Sequence, residues 1–323
     1  MRPILLKGHE RPLTFLKYNR DGDLLFSCAK DHNPNVWFAD NGERLGNYKG
    51  HNGAVWCCDV TRDSRFLVTG SADQSAKLWD VETGVQLYSF TFETPARSVA
   101  FSEGEKLLLI TTDPFMGAPS AIHIKRVEAE RTEQTQDSIE IIKGHVGRVT
   151  RAVWGPLNTT IISCGEDGTI RQWDASNGKE LNMKEAHSKN IQTLSMSADG
   201  SHFITASADK SAKLFDTRTF ELLKTYQAER PINAAAISPL LDHVVLGGGQ
   251  EARDVTTTSS RAGKFEAKFY HKIFEEEIGG VKGHFGPINA LAFNPDGRSF
   301  ASGGEDGYVR VHHFDAEYFT MKV

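Results

Sequence analysis

The sequence predicts an all-β fold, a seven-bladed β-propeller closed by the N-terminal strand completing the last blade. Three observations predict it. Four kinds of marker residue recur at fixed offsets. The copies stand 42 residues apart, or a little over twice that. Between the markers lie short alternating strands, punctuated by Gly, Asp and Ser. A four-stranded unit of 40–45 residues is the signature of a propeller blade, and seven such units fill the chain.

The markers begin with Gly8-His9, Gly50-His51, Gly144-His145 and Gly283-His284, with Ala186-His187 as a near match. Each His is followed 22 residues later by an acid: Asp31, Asp73, Asp167, Asp209 and Asp306. Four residues before each acid stands a hydroxyl, from Ser27, Thr69, Ser163, Thr205 or Ser302. Six residues after it come Trp37, Trp79 and Trp173, then Phe215 and His312 in the last two copies.

In chain order the expected blades are 8–48, 50–92, 95–142, 144–185, 187–228, 231–281 and 283–323, the last taking in strand 2–6. The second blade shows the pattern most clearly, with strands over 54–60, 66–70 and 76–80. Blades three and six are degenerate. The intervals His51 to His145 and His187 to His284 each hold two units, yet neither of the hidden units keeps the His and Trp marks. Blade three runs through LLLITTD (107–113) and IHIKRV (122–127), with RVEAERTEQTQD (126–137) as a polar hairpin connection. Blade six runs through HVVLGGG (243–249) and KFEAKFYH (264–271), and about fifteen residues separate these strands, an insertion expected to serve recognition. Elsewhere the segment before Gly-His is the outer strand of the preceding blade, as in SIEIIKGH (138–145). RPILL precedes the first Gly-His, and the chain ends soon after VRVHHF (309–314). RPILL therefore supplies the fourth strand of blade seven and leaves no open sheet edge.

Composition narrows the function. The chain has 24% charged residues and a formal net charge of -5, without the basic excess of a broad nucleic-acid surface, so autonomous nucleic-acid binding is not expected. Cys28, Cys57, Cys58 and Cys164 form neither a zinc pattern nor a disulfide framework and read as reduced thiols. No apolar run reaches membrane-spanning length, and the expected location is cytoplasmic. The glycines 247–249 lack the GK[ST] of a phosphate loop and suit a turn or bulge. The adjacent His312 and His313 would face opposite ways on a strand, a poor metal pair, and Glu275-Glu276-Glu277 reads as a solvated edge. No cofactor or metal is expected.

Ser163, His145 and Asp167 have the composition of a hydrolase triad. Against catalysis, the same set recurs around the ring, whereas an enzyme needs one preorganised site. Each member also has a structural use: Asp accepts from turn amides and His, His meets the hydroxyl, and the hydroxyl meets the indole N–H. A blade-pinning network is the expected role of all these residues, and the chain is expected not to be an enzyme.

Four phrases are more specific than the markers: MRPILLKGHERPLTFLKYNRDGDLLFSCAKD (1–31), NGERLGNYKGH (41–51), GGGQEARDVTTTS (247–259) and KFEAKFYHKIFEEEIGGVKGHFGPIN (264–289). On them the whole chain resembles the WD-repeat propellers of the subunit i family of eukaryotic translation initiation factor 3. The resemblance implies a noncatalytic scaffold that binds a C-terminal helix of subunit b, contacts subunit g, and supports assembly and scanning by the small ribosomal subunit complex. It also implies a short charged helical tail beyond 320–323. Other WD-repeat proteins serve as adaptors in signalling or ubiquitin-ligase assembly, the alternative that fold alone allows. In the resembling family the subunit b helix lies against blades five and six. The acids carried over as its contacts are Asp199 and Asp216, on turns away from the His-bearing loop, and Glu229 at the entry to blade six.

Overall fold

The computed structural model describes residues 3–249 and 265–320. The insertion anticipated at 249–264 lies, apart from Gly249, outside the described residues. The described strands form seven four-stranded antiparallel sheets arranged as a ring, a seven-bladed β-propeller. Blade two shows the common order, with strands Val55–Val60, Phe66–Ser71, Ser75–Asp80 and Gln86–Thr91 running from the axis to the rim. The degenerate blades are complete sheets: blade three contains Ala96–Phe101, Leu107–Thr112, Ala121–Arg126 and Glu140–Ile142, and blade six contains Ile232–Ile237, His243–Gly248, Phe265–His271 and Glu277–His284.

The ring closes in the seventh sheet. Ile4–Leu6 pairs antiparallel with Val309–His313, with Ile4 opposite Val311 and Leu6 opposite Val309. Leu6 is buried in a cluster that joins Val309 and Val311 of blade seven to Leu13, Leu16 and Trp37 of blade one.

Each apolar cluster bridges two neighbouring blades, so a blade is buried on both faces. Adjacent side chains on a strand point to opposite faces. Leu67 therefore packs with Phe26 and Tyr48 of blade one, while Val68 packs with Val99 and Ile110 of blade three. The same alternation parts Cys57, in the second of these clusters, from Cys58, in the first. This explains why second strands such as LLLITT are nearly continuous apolar runs rather than alternating ones. Gly247 and Gly248 lie opposite the bulge between Ile232 and Ala234. A Cβ on Gly248 would stand 2.2 Å from the Pro231 carbonyl oxygen, so only glycine fits there.

Two connections are tied to the ring more firmly than their polar composition suggests. The 126–137 segment clips onto blade two: Gln136 Nε2 donates to Tyr88 Oη at 3.0 Å and to the Ser89 carbonyl at 2.8 Å, and Gln136 Oε1 accepts from the Thr91 amide at 3.0 Å. Near the C-terminus the helix Ala316–Thr320 folds back on blades six and seven. Tyr318 stacks on Phe314 with ring centroids 3.8 Å apart and hydrogen-bonds His243 Nδ1 at 2.8 Å.

Candidate functional site

The fixed offsets bring the marker residues of each regular blade within hydrogen-bond distance. In blade two the Trp79 Nε1–H donates to Thr69 Oγ1 at 2.8 Å, the Thr69 hydroxyl meets His51 Nε2 at 2.7 Å, and His51 Nδ1 meets Asp73 Oδ2 at 2.8 Å. One proton arrangement satisfies every group: indole to hydroxyl, hydroxyl to Nε2, and Nδ1–H to carboxylate. Blade one repeats it through Trp37, Ser27, His9 and Asp31, and blade four through Trp173, Ser163, His145 and Asp167. The acid also accepts from the amide after the His, namely Glu10, Asn52, Val146, Ser188 or Phe285. The loop between blades is thereby pinned to the turn between the second and third strands.

The last two copies vary. In blade five His187 bridges Asp209 at 2.9 Å and Thr205 at 2.8 Å, while Phe215 stacks on Phe203 with centroids 5.2 Å apart and donates nothing. In blade seven His284 bridges Asp306 and Ser302, and His312 stands in the indole position, stacked on Phe300 at 4.6 Å. Arg310, which carries no repeat mark, joins this network by donating to Asp306 Oδ2 at 2.9 Å. Blade three uses a different device, missed because it has no Gly-His signal. There the Arg97 guanidinium grips Asp113 through both Nε and Nη2.

Protonation follows from burial. Burial lowers the pKa of His51, His187 and His284 despite their acids, so they stay neutral near pH 7. For Asp73, burial alone would raise the pKa, but hydrogen bonds from His51, Ser75 and the Asn52 amide outweigh it and hold the carboxyl well below the usual carboxylate range. Asp167 and Asp306 behave alike. In blades one, two and four each network is thus a closed chain of satisfied partners with a buried histidine side chain, and among the described residues none of these histidines is a free base facing an open cleft. In blade seven the chain stops at His312, whose Nδ1 has no partner. Among the described residues no cluster of three or more His, Cys, Asp or Glu could hold a metal ion.

Asp199 and Asp216 share the face opposite the His loops. Asp199 lies in the turn between His202–Ser207 and the strand before it, Ile191–Met196, and Asp216 ends Ser211–Asp216. Both cap their turns. Asp199 accepts from the Ser197 and Ser201 hydroxyls, and Asp216 accepts from the Arg218 and Thr219 amides. Asp80 and Asp174 cap the equivalent turns of blades two and four, so capping alone does not distinguish Asp216. What distinguishes blade five is His202, paired across the strands with Asp216 and hydrogen-bonded at Nδ1 to the Ser201 hydroxyl that Asp199 holds. The same face of blades five and six also exposes Leu222, Leu240, Ile273 and Phe274. Glu229 is not brought together with them. It lies between Leu222–Gln227 and Ile232–Ile237, on the connection that faces the His side of the ring.

Comparison with known proteins agrees with this architecture. The EIF3I family profile matches residues 1–323. Eukaryotic translation initiation factor 3 subunit I of Xenopus tropicalis is 53% identical over 324 residues, covering 100% of this chain and 99% of the relative. The Homo sapiens protein of that name is 52% identical over 323 residues, with the same coverage, and that of Bombyx mori is 51% identical over 322 residues, covering 99% of this chain and 97% of the relative. A full-length match at this identity, on a ring of seven sheets built by the same repeat marks, places the chain in the EIF3I family of WD-repeat propellers.

Proposed function

We propose that the chain is a noncatalytic scaffold subunit of the cytoplasmic translation initiation factor 3 complex. It receives a helical segment of subunit b on blades five and six, contacts subunit g, and so supports assembly and scanning by the small ribosomal subunit complex. The observation that carries the reading is full-length kinship with proteins named subunit I of that factor. The docking site is supported by the shared face of Asp199 and Asp216, which also exposes Leu222, Leu240, Ile273 and Phe274. An amphipathic helix with one apolar stripe and basic flanks suits such a surface. Its apolar contacts supply most of the affinity, while the acids set orientation and on-rate. An adaptor role in signalling or ubiquitin ligation draws support from fold alone, which hosts many functions.

The test is a titration of the purified chain with the subunit b helical segment. Phe274→Asp and Asp216→Lys should each weaken binding, by about tenfold or more for Phe274 at a desolvated centre. Glu229→Lys, across a blade about 20 Å deep, should leave affinity unchanged. Equal affinity in all three variants would remove the helix from this face. Pull-downs that recover ligase or signalling components instead of initiation factors would reject the scaffold reading.

A further inference from the structure

The inner strands enclose an axial channel of about 1400 Å³. Its wall is uneven. On the side of blades six and seven it is lined by Ala234, Ala236, Ala290 and Ala292, whereas blades one, three and four contribute Lys17, Arg97, Arg148 and Arg151. Three of these cations have carboxylates beside them. Lys17 lies 3.0 Å from Asp59, Arg97 lies 2.6 Å from Asp113, and Arg148 lies 3.3 Å from Asp113 and 3.1 Å from Glu166.

Arg151 differs. It is 8% exposed, and none of the ion pairs among the described residues includes it. Its guanidinium lies 4.3 Å from the Phe15 ring centroid and donates to Cys57 Sγ, while its Nε has no acceptor. Burial raises the Cys57 pKa although Arg151 pulls the other way, so the thiol stays neutral and does not cancel the charge. In the same wall Trp56 stacks 4.2 Å from the Arg97 guanidinium and leaves its Nε1–H without a partner. A nearly buried guanidinium with no counter-charge is costly, and an oxyanion beside it offsets that cost through charge-assisted hydrogen bonds.

We propose that the axial channel binds a small free oxyanion of the phosphate type, held at Arg151. The occupant is small and free rather than an acidic chain segment because it needs to meet the single nearly buried charge of Arg151, whereas Lys17, Arg97 and Arg148 are already paired with carboxylates. The site is independent of the helix-docking face: it uses inner-strand residues of blades one to four, not the turns of blades five and six.

The experiment titrates the full chain with inorganic phosphate at constant ionic strength, adjusted with sodium chloride, and follows thermal unfolding. A saturable rise in Tm is expected. Arg151→Gln should weaken it at least about tenfold, the discrimination expected when a charge-assisted pair is lost. Lys282→Gln, on the rim, should leave it intact. Phosphorus NMR of the wild-type chain is the second readout and needs no variant: the phosphate resonance should broaden on adding protein and sharpen again with excess phosphate. No broadening, or an equal Tm rise in Arg151→Gln, overturns the site. If Arg151→Gln does not fold, the wild-type titration decides.

Discussion

Gly144 lies so close to Trp173 that a methyl group on it would stand 2.7 Å from the indole Cη2. Gly8 makes the same 2.7 Å approach to Trp37, and Gly50 a 3.1 Å approach to Trp79. In blade five the pair changes together: Ala186 precedes the His, and the smaller Phe215 replaces the indole. The glycine of the Gly-His mark is therefore a steric partner of the Trp mark.

Gly144→Ala should destabilise blade four by about 1–3 kcal/mol, the range for an overpacked core. In a Gly144→Ala, Trp173→Phe double variant the two costs should be less than additive, by at least about 0.5 kcal/mol. Urea denaturation of the four members of the cycle measures this. Simple additivity would show that the contact does not govern the choice of residue.

Asp167→Ala strands the His145 Nδ1–H, the Val146 amide and the Thr169 hydroxyl together. The expected loss is about 2–4 kcal/mol, more than one net hydrogen bond, because unmet buried donors dominate. Asp174→Ala is the comparison, since that acid caps a solvent-exposed turn. Its cost, read from the same denaturation curves, should be clearly smaller.

Closure depends on three residues of one strand. Leu6→Ala should cost about 2–5 kcal/mol, because the side chain is almost fully buried between blades seven and one. Deleting residues 1–6 should also uncover the hydrogen-bonding edge of Val309–His313 and promote concentration-dependent association. Light scattering coupled to gel filtration reads this directly. A monomeric deletion variant of unchanged stability would show that the strand is dispensable.

Acid should weaken the ring in two stages. Burial lowers the pKa of His123 and of His312 to about 4. Below the ordinary histidine value of 6.5 the unfolded chain takes up protons that the native ring refuses, so stability falls as pH drops from 6.5 to 4. The lowered carboxyls of Asp73, Asp167 and Asp306 act lower still, with their contribution lost as pH falls below 3.8. His312→Phe keeps the stacking on Phe300 and removes one proton acceptor. Its loss of stability between pH 7.5 and 5.0, measured by urea denaturation, should be smaller than that of the wild type by about 1–2 kcal/mol.

Blade number and ring closure are legible in the sequence for a definite reason. A blade is a local unit, with most strands paired to the next in the chain, and its marker residues lie within 28 positions of one another, as from His51 to Trp79. Spacing and alternation therefore carry the information. Even blades three and six are visible by interval, since two blades must fit between His51 and His145 and between His187 and His284. The acids of the proposed docking face are only partly legible. Asp199 and Asp216 share a face because turns of the same parity do, whereas Glu229 belongs to a connection of the other parity.

The amino-acid sequence alone determined how many sheets form, in what order, and which strand shuts the ring, because those depend on neighbours along the chain. Only the tertiary structure decided that Arg151 meets Cys57 across 94 residues, that Gln136 clips blade three to blade two, and that Leu240 and Phe274 stay exposed. These contacts join different blades, and their geometry arises only when the circle closes and sets seven inner strands around one axis.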